Sequence, residues 1–252
     1  MLVFTILRGT PEPTTLLKVD RPFTHTDVPG LADLVSPLHA PHIYDVPSSP
    51  AVDILSDIHR LSQTFLARCT FVGEPCPASD AHVASLDFEM QQIHARLLSR
   101  PPTREDLMPD WMYETCRLAA LIVCRSIAEG TSLADSATVI CTRGNGVHQT
   151  STTLLTALHT AMMRTDRHAC WGDQRAPFLW VCLVGGAASW PSSREEISPA
   201  QAWERKCFSL YALKAAVCVP FSQTETVIQG LRWFLQIRHW TDLRNVVHAR
   251  KG

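Results

Sequence analysis

The stretch that most constrains this chain is FLWVCLVGGAAS, Phe178 to Ser189, twelve residues without a charge. It is too short to span a bilayer, which takes roughly 20 apolar residues. It suits the central helix of a packed core, with Pro177 at its start, where a missing N–H costs nothing. Gly185, Gly186, Ala187 and Ala188 would let neighbouring helices approach its last turns closely. The competing reading is a buried strand that ends in a glycine turn around a ligand. The glycine pair fits neither G-x-G-x-x-G nor G-x-x-x-x-G-K-[ST], and no basic residue follows closely. A phosphate loop needs that backbone cradle in a strand–helix context, so the helix is preferred. Ser189 lacks the G-x-S-x-G elbow that would expose a nucleophile.

The surrounding chain reads the same way. Residues 1–49 hold seven prolines and form an extended, loosely docked leader. From residue 50 to residue 252 the pattern is helical. Ser49 caps a first helix with Pro50 at its first position, and Val52, Leu55, Ile58, Leu61, Phe65 and Cys69 recur at helical spacing up to Gly73 and Pro75. A second helix starts at Ser79 or Asp80, sets Val83, Leu86, Met90, Ile93, Leu97 and Leu98 on one face, and stops before Pro101. A third spans Pro109 to Glu129, closed by Gly130, and its apolar interior CRLAALIVCRSIA marks it as buried. Residues 131–149 could hold a short helix followed by a loop at Gly144-Asn145-Gly146, and Asn145-Gly146 can signal a hairpin, but the flanks alternate poorly and the segment reads as a loop. A fourth helix, Ser151 to Arg164, presents Leu154, Leu155, Leu158, Met162 and Met163, and a polar loop around Trp171 follows. Beyond the central stretch, Ser198-Pro199 opens a helix to Val219 carrying Trp203, Phe208, Leu210, Leu213 and Val217. Ser222 or Thr224 caps the last one, with Val227, Ile228, Leu231, Trp233, Phe234 and Ile237. The expected fold is all-α, a multi-helix domain over residues 50–252 behind a proline-rich leader.

Chemistry is harder to find. The charges balance, 23 basic against 24 acidic, and no basic stripe is present, so direct DNA binding by this chain alone is disfavoured. Nine cysteines include no C-x-x-C pair, and several, such as Cys182 and Cys218, lie in apolar runs. They read as buried reduced thiols in a reducing compartment. The apolar opening MLVFTIL has no basic residue before it and no A-x-A site, which argues against a signal sequence. No transmembrane segment is expected. Eleven histidines include no H-E-x-x-H; His39 and His42 fall in the leader and His168 in a loop. Glu195 and Glu196 precede a helix start, Glu114 and Arg117 form an intrahelical pair, and Trp180, Trp203 and Trp233 are expected to anchor the core. No catalytic, cofactor-binding or metal residue is assigned, and no cofactor is expected.

Two segments resemble a known family. Tyr113-Glu114-Thr115-Cys116-Arg117-Leu118-Ala119-Ala120-Leu121-Ile122 resembles the E-x-C-R-L-A-A-L-I segment of the fungal-specific transcription factor domain. Phe178-Leu179-Trp180-Val181, followed by Gly185-Gly186-Ala187-Ala188, resembles that family's L-x-W-x-L-x-x-G-G-x-A helix, with Phe178 and Cys182 where leucines are usual. Ala202-Trp203 is similar to the A-W-F that follows, with Glu204 replacing the aromatic. Leu231 to Leu235 with Trp240 is a weaker likeness to the closing helix. The resemblance covers about residues 50–245 and implies an all-α regulatory region, nuclear location, and protein partners such as the transcription machinery or a DNA-binding factor. It is compatible with a homo- or heterodimer. In that family an N-terminal six-cysteine zinc cluster reads DNA. Cys69 and Cys76 have one of its gaps, but Leu66 stands where a further cysteine is needed. The chain therefore resembles the regulatory half, either of a truncated regulator or of one working through a DNA-binding partner. Secondary-metabolite gene clusters are the context that the resemblance suggests. A small all-α enzyme with a dispersed site, and a helical interaction domain without regulatory role, remain alternatives.

Overall fold

The computed structural model describes residues 49–70, 77–103, 109–143, 150–165, 171, 174–190, 198–218 and 224–249. The leader, Cys76, His168, Cys170 and Glu195-Glu196 lie outside them. Among the described residues the fold is all-α: eight helices and one two-stranded hairpin. The helices are α1 (Ser49–Thr70), α2 (Pro77–Ser99), α3 (Trp111–Glu129), α4 (Leu133–Ala137), α5 (Leu154–Arg164), α6 (Arg175–Ala188), α7 (Pro199–Val217) and α8 (Thr224–Ala249).

Local chemistry sets several of these boundaries. Asp110 caps α3 by accepting from the Tyr113 N–H at 2.8 Å, and Gly130 ends it at φ 63°, the left-handed conformation that glycine adopts without strain. Ser198 and Gln201 form a reciprocal capping box at α7, with Pro199 in the first turn. Helix α6 begins at Arg175, so Pro177 lies two residues inside it. It is still in the first turn, where backbone N–H groups have no partner four residues back, and the helix is not broken.

The region 131–149, expected as a loop, contains two elements. Ser132 caps the short α4, and Ile140–Arg143 (β1) pairs antiparallel with Thr150–Thr153 (β2), Ile140 opposite Thr153. The β-branched run Val139, Ile140, Thr142 and Thr150, Thr152, Thr153 favours strands. No alternation betrays it because the hairpin is peripheral: Ile140 is 67% exposed. The second strand also takes Ser151 to Thr153 from the expected fourth helix, and Thr153 becomes the cap of α5.

The core forms around two apolar helices. Every residue of α6 from Ala176 to Ala188 is buried, as expected for a helix apolar on all sides. It packs chiefly on α7 and also touches α3, α4 and α5. Gly185 acts as expected: a Cβ there would lie 2.3 Å from the Phe208 ring of α7. Helix α3 is the wider hub, touching α1, α2, α4, α5, α6 and α8. Helices α1 and α2 lie side by side, joined by pairs from Arg60 to Glu89, Arg68 to Asp87, Arg96 to Asp57 and Arg100 to Asp57.

Several expected core residues face solvent. Trp203 is 61% exposed, and Leu210, Val217, Leu98 and Met163 are exposed as well. Of the apolar residues that the sequence places on α7, Phe208 is buried, and Cys207, Ala212 and Ala215 complete the buried side of the helix. Cys218, beyond the end of α7, is exposed, whereas Cys69, Cys116, Cys124, Cys182 and Cys207 are buried and in no disulfide. Conversely, Trp171 is buried, its ring 5.1 Å from Phe178.

Candidate functional site

Helices α1, α3, α6 and α8 enclose an apolar cleft. Val123 of α3, Leu179, Trp180 and Leu183 of α6, and Leu231, Trp233, Phe234 and Ile237 of α8 supply its walls. Its free volume is about 60 Å3, several times the roughly 10–15 Å3 that one water needs. Two polar side chains reach it, His59 and Ser62 of α1. The His59 ring stacks on the Trp233 indole, centroids 4.9 Å apart and 24° from parallel. The Ser62 hydroxyl donates to the Ile58 carbonyl at 2.7 Å, which satisfies it within its own helix. Gly230 leaves one wall open, since a Cβ there would meet nothing within 4 Å. An apolar cleft of this size with few polar groups suits a small, weakly polar molecule.

Sequence reasoning expected Trp180 and Trp233 to anchor the core, and both do so at this cleft. It missed His59 and Gly230. The His59 contact lies across the fold, and an isolated glycine in a helix gives no sign of the space beside it.

A second, more polar hollow of about 240 Å3 lies between α1, α2 and α3, with Arg68, Asp87, Gln91, His94 and Cys124 on its surface. Arg68 and Asp87 are paired across it. Burial pushes the Cys124 thiol up to about 12, overriding the opposing pull of Arg125. Burial and, to a lesser extent, Arg125 lower the basicity of His94. A thiol held protonated and an imidazole made less basic are the reverse of an activated cysteine–histidine pair.

The Glu114–Arg117 pair is a structural lock. Arg117 reaches both carboxylate oxygens, at 2.8 and 2.9 Å, and the Thr103 N–H donates to Glu114 at 3.0 Å. Tyr113 donates its hydroxyl to the Pro101 carbonyl at 2.7 Å. Together they tie the chain after α2 to the start of α3. Among the described residues no group of three His, Cys, Asp or Glu side chains could hold a metal ion, and no helix is long and apolar enough to cross a membrane. The chain matches no protein-family model, no curated protein and no solved structure.

Proposed function

We propose that the chain is a helical regulatory domain of the zinc-cluster regulator type, acting in the nucleus through protein and ligand contacts. Its output would be the expression of a set of fungal genes, such as a secondary-metabolite cluster, with DNA read by a partner. One observation carries the reading. Three of the four segments that resemble that family lie on α3, α6 and α8, and those helices share one apolar cleft; the fourth, Ala202-Trp203, lies on α7 outside it. A ligand in that cleft would contact helices far apart in sequence and so could bias their packing, which is what a regulatory domain requires. The composition of the cleft supports binding over reaction, because its polar side chains are a stacked imidazole and an internally bonded hydroxyl.

Transcript profiling of a strain lacking the protein, complemented with wild type or with Gly230→Leu, tests this. Deletion should change a coherent set of transcripts, wild type should restore it, and the cleft-filling variant should restore it incompletely despite an unaltered fold. A deletion strain with an unchanged transcript profile would remove the proposal.

A further inference from the structure

Helix α7 turns one face to the core and leaves an ordered apolar stripe outside. Trp203, Leu210 and Val217 are 61%, 65% and 85% exposed. Their spacing of seven residues places them in line along one side of the helix, over about 21 Å at 1.5 Å per residue. Lys206 and Lys214, both exposed, fall on opposite flanks of this line. The only acidic residue of α7, Glu204, is buried, so nothing acidic on the helix offsets those lysines. At one flank the Tyr211 hydroxyl contacts the sulfur of Met163 at 3.8 Å, and the exposed Met163 continues the apolar surface onto α5.

We propose that this stripe is a docking site for an acidic amphipathic helix of a partner protein. A row repeating every seven residues supplies one of the two apolar positions per heptad that one helix offers another, and Leu213, three residues after Leu210, adds to it on the Lys206 side. The charges choose among possible occupants. A second copy of α7, paired antiparallel about Leu210, would bring Lys206 against the other copy's Lys214; paired in parallel, each lysine would meet its own kind. Both arrangements set like charges together, whereas glutamates flanking an apolar seam would face both lysines favourably. The surface is separate from the cleft, and the inference holds whatever the cleft binds.

The test uses the full chain and two labelled synthetic peptides, each a three-heptad helix with a leucine seam. One carries glutamate flanks and the other lysine flanks, and fluorescence anisotropy reads binding. The acidic peptide should bind with a Kd of order 10 µM and the basic one at least about tenfold more weakly. Trp203→Ser with Leu210→Ser should weaken the acidic peptide about tenfold or more, and Lys206→Glu with Lys214→Glu should reverse the preference. Because these side chains are exposed, circular dichroism and Tm should stay at wild-type values, and a variant that unfolds is replaced by Leu210→Gln alone. Equal binding of the two peptides, binding indifferent to the stripe, or no binding would overturn the proposal. So would a dimer in sedimentation that Leu210→Glu dissolves, or stripe-dependent binding to anionic vesicles without peptide binding.

Discussion

At the scale of single residues, two glycines in helices answer opposite demands. A methyl group on Gly185 would collide with the Phe208 ring, while one on Gly230 would enter open space. Helix propensity alone favours alanine over glycine by about 1 kcal/mol at both sites. At Gly185 that gain is outweighed by overpacking, which costs about 1–3 kcal/mol or more in a filled core. Urea unfolding should show Gly185→Ala less stable by about 1–2 kcal/mol and Gly230→Ala more stable by about 0.5–1 kcal/mol. Equal effects would mean that the close approach of α6 and α7 is not real. The role of Gly185 was legible in the sequence because it sits in an uncharged stretch beside Gly186 and two alanines, and only a packing reading accounts for such a run. The role of Gly230 was not legible, since open space beside a helix is made by the other helices. Trp203 failed for a related reason: periodicity shows that residues share a face, and not whether anything covers it.

At the scale of elements, caps and breakers made the helix ends readable. Ser198-Pro199, Gly130 and the first turn of α6 are set by side chains within a few residues of the boundary, and all fall within one or two residues of expectation. The hairpin is hard to read because its strands are only four residues long and stand at the edge, where Cys141 is only partly buried against the core and Ile140 faces solvent. Besides its Asp110 cap, the start of α3 has a second fastening, Glu114, which grips both Arg117 and the Thr103 backbone N–H while almost fully buried. The sequence showed the pair, and its burial came only with the fold. Breaking one member of a buried pair leaves a charge without compensation, at a cost of about 3–5 kcal/mol. Glu114→Gln keeps the shape and the Thr103 contact, so its loss should fall below that range, at about 2–3 kcal/mol by chemical denaturation. Hydrogen exchange should quicken at Thr103 and the first turn of α3 before the rest of the helix. Uniform loss of protection, or none, would show that the pair does not fasten this junction.

At the scale of the whole molecule, α3 and α6 together organise the bundle, α6 by being buried from Ala176 to Ala188 and α3 by touching most of its neighbours. Helix α7 closes the bundle and carries a buried carboxyl, Glu204, into it. Burial holds the Glu204 pKa above its ordinary 4.5, against a smaller opposing effect from the Thr156 hydroxyl of α5. Between 4.5 and that raised value the folded chain binds more protons than the unfolded chain, so stability from this group falls as pH rises. His94 acts in the opposite sense. Its pKa lies below the ordinary 6.5, so the stability it contributes is complete above 6.5 and fades as pH falls toward the lowered value. Both windows lie in weak acid, one opening upward from 4.5 and the other downward from 6.5, and the wild-type curve alone does not assign either. Glu204→Gln separates them, because the amide oxygen can still accept from Thr156 and carries no charge to bury. Relative to wild type, the variant should gain little at pH 4 and progressively more up to pH 7, measured as the difference in unfolding free energy at each pH. A difference that stays constant, or shrinks as pH rises, would show that the carboxylate reaches water at the α5–α7 contact and that α7 is packed less closely than the buried Glu204 implies.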